Sequence, residues 1–299
     1  MEVFSELIRS GIRIEKDFEM SKMTSFRTGG YADYIAFPEH INQLAAILAL
    51  CNDKGIPVTV AGGLTNCLVS DDGIRGLVLC TRHIRGLVMK GGLFIAYAGE
   101  SLENVINKSI EHHLTGLEEL GGIPGTTGGA TWGNAGANGV SISTYFFYAD
   151  YITSDGKLKR MPSYCDAFSY RKSPFQKGDI ILSTAFRLKA DRNTAEAREK
   201  KEYYKRERKL KGQYDALSAG CFFRNPPAMS AGSLIEQAGL RGFSHGGAMV
   251  SDRHANFIIN TGNATSKDIY ELSELVANAV EKKSGIKLER EVTLLGKFQ

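Results

Sequence analysis

No stretch of the chain approaches the roughly 18–20 consecutive apolar residues that span a bilayer, so no membrane helix is expected. The N-terminus, MEVFSELIRSGIRIEKDFEM, lacks the basic-then-apolar order of a secretory signal. The chain is therefore expected to remain where it is made, in the cytoplasm. CxxC spacing is absent: the five cysteines are Cys51, Cys67, Cys80, Cys165 and Cys221. An odd set without that spacing reads as reduced thiols, not as a disulfide framework or a zinc site, and no metal is expected. Neither a GxGxxG fingerprint between strand and helix nor a GxxxxGK[ST] loop occurs, which removes the Rossmann and P-loop readings. Internal repeats and low-complexity linkers are lacking too. The +4 net charge, from 37 basic and 33 acidic side chains, does not by itself imply a polyanionic partner. Its excess is local, in RLKADRNTAEAREKKEYYKRERKLK at 187–211. Such a run is a solvated helix face or an electrostatic rim that steers a diphosphate-bearing substrate. No aromatic platform or helix-turn-helix pattern accompanies it, so no nucleic-acid partner is expected.

What is present is ordinary globular composition, 42% hydrophobic and 23% charged over 299 residues, long enough for two or three subdomains. Residues 40–54 carry apolar side chains at helical spacing and are stopped by Gly55 and Pro57. VTVAGG then reads as a buried strand entering a glycine turn. Short strands are expected at 75–80, 85–90 and 93–99, and again at 145–153 and 180–188. A helix over 101–114 has Ser101 as its N-cap, with Leu102, Val105, Ile106 and Ile110 on one face. Further helices cover roughly 194–211 and 266–283, and the terminal IKLEREVTLLG reads as a strand returning to an earlier module. Alternating strands and helices argue for an α+β or α/β architecture.

Two glycine-bearing stretches carry the first chemical signal. VTVAGGLTNCLVSDDG (58–73) turns on small residues and presents backbone N–H groups that can form an anion nest. Residues 121–139, GGIPGTTGGATWGNAGANG, are too rich in glycine for a helix or strand interior, and absent side chains let backbone approach a ligand. Either alone is equally a structural turn. Together they point towards a bound diphosphate cofactor.

Eight segments in order now make a resemblance specific: TSFRTGG (24–30), GGLTNCLVSDDG (62–73), GGIPGTTGGATWGNAGANG (121–139), FSYRKSPF (168–175), SAGCFFRNP (218–226), AGSLIEQAGLRG (231–242), VSDRHANFIIN (250–260) and LEREVTLLG (288–296). The chain resembles the UDP-N-acetylenolpyruvoylglucosamine reductase family, in its shorter type without a tyrosine-bearing loop. The resemblance implies an α+β chain in which a two-part FAD-binding domain of the vanillyl-alcohol-oxidase type precedes an α/β substrate-binding domain. The expected boundaries are 1–80 and 81–190 for the two FAD-binding subdomains, 191–286 for the substrate domain, and 287–299 for a strand returning towards the active site. It implies noncovalent FAD, NADPH as reductant, and conversion of UDP-N-acetylglucosamine enolpyruvate to UDP-N-acetylmuramate for peptidoglycan. A UDP-sugar enolpyruvyl ether is the implied partner, with no nucleic acid, membrane or obligate protein. The alternatives are another FAD-dependent oxidoreductase of the same fold, or a flavin-binding protein without turnover.

Such a reduction adds hydride to one carbon of an enol ether and a proton to its neighbour, while negative charge builds on the carboxylate. It needs cationic or donor groups at that carboxylate and an acid at the protonated carbon. By resemblance Arg171 holds the carboxylate, a two-pronged task lysine cannot reproduce. Alone it would read as a surface arginine. Glu291 matches the family glutamate and, facing a carboxylate, is expected to be protonated or bridged by Arg171. Glu289, two residues away, is a decoy on the same strand face. Cys221 fills the slot of the usual serine as proton donor, although a lone cysteine in an apolar segment is otherwise a packing residue. Arg224 and Asn225 match substrate contacts. His254 and Asn256 are assigned to the substrate site or, equally, to structural hydrogen bonds. For FAD the resemblance implies Arg27, Gly62, Gly63, Thr65, Asn66, Pro124, Gly125, Gly128, Gly129, Asn134, Ala135 and Gly136. Three departures stand out: Leu64 where the family has glycine, Tyr214 in place of a common proline, and Trp132 at a position usually smaller, where it could pack near the flavin.

Overall fold

The computed structural model describes residues 2–163 and 168–298; Cys165 lies outside them. The chain folds into two compact units. The first comprises Met1–Lys16, Tyr34–Gly63 and Gly76–Glu207; the second comprises Asp17–Asp33, Leu64–Arg75 and Arg208–Gln299. The second unit therefore takes in two early stretches that a linear reading leaves with the N-terminal subdomain. Helix and strand are mixed throughout, as an α+β chain requires.

Among the described residues two sheets have four or more strands. Arg13–Glu19, Tyr31–Phe37, Ile74–Cys80 and Val58–Ala61 lie side by side in that order, the last two parallel with Val58 opposite Leu77. The Ile41–Asp53 helix buries Leu44, Ile47 and Cys51, the stripe its spacing predicts. The Gln43 side chain accepts the His40 N–H at 3.3 Å, and Gly55 leaves the helix at φ +62°. The second sheet is antiparallel, ordered Leu158–Pro162, Phe146–Ile152, Ile180–Phe186, Leu93–Tyr97 and Leu87–Lys90. Ile180–Phe186 is buried at every position, including the polar Ser183 and Thr184, so it lacks the alternation of a strand with one face in solvent. The Leu102–Glu111 helix starts where expected: the Ser101 hydroxyl accepts the Asn104 N–H at 3.1 Å.

One expectation is corrected. Residues 127–132 of the glycine-rich stretch form a helix, Thr127–Trp132, despite adjacent glycines that each cost about 1 kcal/mol in a helix. Tertiary packing overrides that penalty. The Thr126 hydroxyl caps Gly129 N–H at 3.3 Å, and Gly128 N–H donates to the Ala98 carbonyl at 2.9 Å. A Cβ on Gly128 would sit 2.9 Å from that of Ala98, so the glycine lets the helix close on the sheet. Thr131 and Thr184 hydroxyls, both buried, meet at 2.8 Å.

The basic segment forms the Thr194–Leu210 helix, and its charged side chains face solvent with one exception. Lys201 is buried, bonds Asn107 Oδ1 at 2.8 Å and pairs with Glu103 at 3.2 Å. Gly121 makes room: a Cβ there would meet Lys201 Cγ at 2.8 Å. Burial by itself would raise the Glu103 carboxyl, yet Lys205, the Gly122 N–H and Lys201 together hold it below the usual carboxylate range. Part of the charge run thus fastens the helix to Leu102–Glu111.

The second unit centres on the Ser266–Ser284 helix, with Ile269, Leu272, Val276 and Val280 inward. Thr265 and Asp268 form its capping box, and Gly285 ends it at φ +72°. Against it lie the Ala231–Gln237 helix and the antiparallel strands Ser244–His245, Ala248–Val250 and Ile258–Asn260. The terminal segment is a strand only over Thr293–Leu295, paired parallel with Cys67–Val69. It does return to an early stretch of the chain, but residues 287–291 do not form a regular strand.

Candidate functional site

In the first unit the two glycine stretches meet. A Cβ on Gly62 would stand 2.7 Å from Thr126 Oγ1 and 4.0 Å from Gly129 N, so only glycine permits this approach. Gly125 takes φ +122°, a conformation closed to other residues. From this stretch the contacts run to the arginine motif. Asn134 Nδ2 donates to the Ser169 carbonyl at 2.9 Å, and the Trp132 carbonyl accepts Ser173 Oγ at 2.6 Å and Gln176 Nε2 at 3.1 Å. Gln176 also reaches the Arg171 carbonyl at 3.3 Å. Arg171 sits in a tight turn closed by reciprocal Ser169–Lys172 backbone bonds of 3.1 and 3.0 Å. Its φ of +57° is unusual for a residue other than glycine, and its guanidinium lies 5.1 Å from the Tyr170 ring. Trp132 itself packs against the Phe146, Tyr151 and Phe175 cluster.

Seven non-glycine residues among those described have positive φ, and Arg27, Asn134 and Arg171 are among the residues singled out from sequence. Strained backbone of this kind concentrates at functional sites. A fourth, Leu64, adopts φ +52° while its side chain is buried. Leu64 thus adopts the left-handed backbone that favours glycine.

The second unit assembles Cys221 and Glu291. Leu217 pairs with Asn260 and Cys221 with Phe257, so five residues face four across the ladder. The extra residue is taken up where Gly220 turns through φ +79°, a bulge that re-aims the half-buried Cys221. Behind it Phe222 and Phe223 are fully buried with ring centroids 5.3 Å apart. Each such ring contributes about 1.5–3 kcal/mol by burial. The Glu291 N–H donates to the Phe222 carbonyl at 2.8 Å, which sets the Glu291 backbone beside the Cys221 segment. Glu291 is half-buried, whereas the Glu289 side chain is 73% exposed and pairs with Arg224 at 3.5 Å. A surface pair of that kind contributes about 0–1 kcal/mol.

The flanking candidates separate by role. Asn256 is 2% exposed. Its Oδ1 accepts the Phe223 N–H at 2.9 Å and its Nδ2 donates to the Phe223 carbonyl at 2.8 Å. Of the two readings for Asn256, the structural one describes these bonds. His254 Nδ1 accepts the Asn256 N–H at 3.3 Å, as a neutral ring does. Burial, then the charges of Lys211 and Arg241, push its pKa below the ordinary histidine value. Asn225 Oδ1 accepts the Ala231 N–H at 3.0 Å at the start of a helix. The early stretch of this unit supplies Arg27, and the carbonyl of its neighbour Phe26 accepts Asn260 Nδ2 at 2.8 Å. It also supplies Thr65 and Asn66.

Two buried polar atoms in SAGCFFRNP have no protein partner: Ser218 Oγ and Arg224 Nε. Buried groups left so cost about 1–3 kcal/mol each, which favours a polar ligand alongside this segment. Ser218 escaped the sequence reading because nothing in its spacing distinguishes it from a loop serine. Gln176, which follows FSYRKSPF directly, was missed for the same reason. The described cysteines behave as reduced thiols. No disulfide joins any two of Cys51, Cys67, Cys80 and Cys221, and burial pushes the Cys51 thiol up to about 11.

Among the described residues no helix is long and apolar enough to cross a membrane. Comparison with known proteins matches residues 32–162 to the FAD binding domain family and residues 212–295 to the family described as UDP-N-acetylenolpyruvoylglucosamine reductase, C-terminal domain. A UDP-N-acetylenolpyruvoylglucosamine reductase of Caldanaerobacter subterraneus is 38% identical over 97% of this chain and 96% of its own. Its counterpart in Caldicellulosiruptor bescii is 39% identical over 100% and 96%. The crystal structure of the reductase from Thermus caldophilus superposes with a TM-score of 0.82 at 31% identity, covering 95% of this chain and all of that one. A BBE-like 1 variant of Physcomitrella patens, at TM-score 0.50 and 13% identity over 63% of this chain, shares fold alone.

Proposed function

This chain belongs to the UDP-N-acetylenolpyruvoylglucosamine reductase family, an FAD-containing oxidoreductase family of peptidoglycan precursor synthesis, and from that premise we propose how its own residues carry the reduction. When bound, noncovalent FAD supplies the hydride, drawn from NADPH, that the enolpyruvyl ether receives. The residues present fit that group. At Gly62, Gly63, Gly125, Gly128 and Gly129 no side chain keeps a diphosphate away from the backbone. Arg27, Gly62, Gly63, Thr65, Pro124, Gly125, Gly128, Gly129, Asn134, Ala135 and Gly136 are the residues that would hold it. The reaction takes place in the cytoplasm, where the UDP-sugar is available.

Arg171 holds the substrate carboxylate through two N–H groups and stabilises the charge that develops there. Glu291 polarises the same carboxylate. As the new C–H bond forms at one carbon, the electron pair of the double bond passes towards the carboxylate, and Cys221 Sγ gives its proton to the neighbouring carbon. The thiolate left behind is reprotonated from solvent. A thiol of ordinary pKa near 8.5 is still mostly protonated at pH 7 and is far more acidic than a serine hydroxyl. Arg224 and Asn225 contact the nucleotide sugar, and His254 and Asn256 support that region. A functional boundary near 80 is supported by two sheets whose strands fall before residue 81 and between 87 and 186, while those near 190 and 286 rest on the resemblance alone.

The observation that supports this reading is the 2.8 Å Glu291-to-Phe222 bond beside Cys221. The test is direct. The purified protein should be yellow, release its flavin on mild denaturation, and consume more than one equivalent of NADPH only when the UDP-sugar enolpyruvyl ether is added. Cys221→Ala should still oxidise NADPH once but fail to pass the equivalents on, while Cys221→Ser keeps appreciable turnover. Rapid turnover in Cys221→Ala would remove the thiol from the mechanism.

A further inference from the structure

Glu291 is held by its backbone at both ends. Its N–H donates to the Phe222 carbonyl at 2.8 Å, and its own carbonyl accepts Asn66 Nδ2 at 3.2 Å. The Asn66 carbonyl in turn accepts the Thr293 N–H at 3.0 Å, where the parallel pairing of Cys67–Val69 with Thr293–Leu295 begins. One asparagine thus grips the Glu291 segment on both sides of Val292, itself buried. The sequence reading assigns Asn66 to the cofactor. Its amide has a different partner in the fold.

We propose that Asn66 is a positioning residue for Glu291: its amide fixes the Glu291 carbonyl, so that with Phe222 on the other side only the side-chain torsions of Glu291 remain to be set. The inference rests on the reading of Glu291 as a substrate-polarising group. Placing a reacting carboxylate takes a supporting layer of this kind, because small displacements are costly to rate. Any residue supplies the backbone carbonyl, but no other amino acid of similar size supplies the side-chain N–H donor. Aspartate matches the volume but sets an acceptor against the Glu291 carbonyl, and serine is too short to reach it.

The test uses the full-length holoenzyme and its apoprotein with Asn66→Asp and, as a second variant should that one fail to fold, Asn66→Ser. Three quantities are read: amide hydrogen exchange across 290–293, FAD affinity of the apoprotein, and the two half-reactions separately. The expected result is exchange about tenfold faster at 290–293, from the loss of one hydrogen bond and the exposure of its partner. FAD affinity should stay within about threefold and NADPH oxidation within about twofold, while transfer to the enolpyruvyl ether slows about tenfold or more. Unchanged exchange at 290–293 with FAD affinity reduced tenfold would make Asn66 a cofactor contact only and overturn the proposal. Equal slowing of both half-reactions would also overturn it. If wild-type protein does not turn over the enolpyruvyl ether, the functional reading fails, and the exchange measurement alone still decides whether Asn66 holds the Glu291 backbone.

Discussion

Replacing Leu64 by glycine sets two opposed effects against each other. Leu64 is 3% exposed and takes φ +52°, the left-handed region in which a side chain crowds the following carbonyl. Restoring glycine, the residue usual in the family, relieves about 1–2 kcal/mol of that crowding. It also removes a buried leucine side chain, which costs about 2–5 kcal/mol because surrounding atoms close only partly on the space left. At mid-range the loss of burial outweighs the relief of strain, so Leu64→Gly should be less stable by about 2 kcal/mol. The assay is urea unfolding of the flavin-free protein by circular dichroism, since bound ligand would add its own linkage. The midpoint should fall with an unchanged slope. Leu64→Asn, which tolerates left-handed backbone but is polar, should also fall below wild type. A glycine variant equal to or more stable than wild type would show that strain at this turn outweighs the packing of its side chain, and the argument would fail.

Arg171→Lys and Glu291→Gln should each keep FAD and lose roughly 10²-fold or more in turnover. Glu289→Gln should turn over normally, because its side chain is 73% exposed, and the reverse order would identify the wrong glutamate. Asn256→Ala leaves the Phe223 N–H and carbonyl buried without partners, which should cost about 2–5 kcal/mol in denaturant unfolding. A cost below about 1 kcal/mol would return Asn256 to the substrate site. His254 has a folded pKa below its unfolded one. Above about pH 6.5 neither state is protonated; as the pH falls below that, the unfolded chain takes up a proton that the folded one resists, and stability drops. Stability measured between about pH 7 and 5.5 should therefore decline more steeply in wild type than in His254→Gln, and parallel slopes would deny the histidine that role.

Local signals in the sequence determined the helices and several strands. The stripe Leu44–Ile47–Cys51, the Ser101 cap and the Thr265 box with Gly285 each act within a few residues, so the backbone at those places follows from its own neighbourhood. The eight ordered motifs likewise delivered the family and its cofactor, and they named Arg171, Cys221 and Glu291. Tertiary structure alone decided the rest. The Thr127–Trp132 helix forms against the propensity of its glycines, because Ala98 and Thr184 supply contacts far away in sequence. Lys201 is buried through partners about a hundred residues distant. Asn66 and Glu291 meet across 225 residues of chain, and nothing in the spacing of either predicts the bond between them. Local periodicity records what a segment can become; which distant backbone groups it satisfies is set by the packing of whole elements, where buried donors and acceptors must find partners.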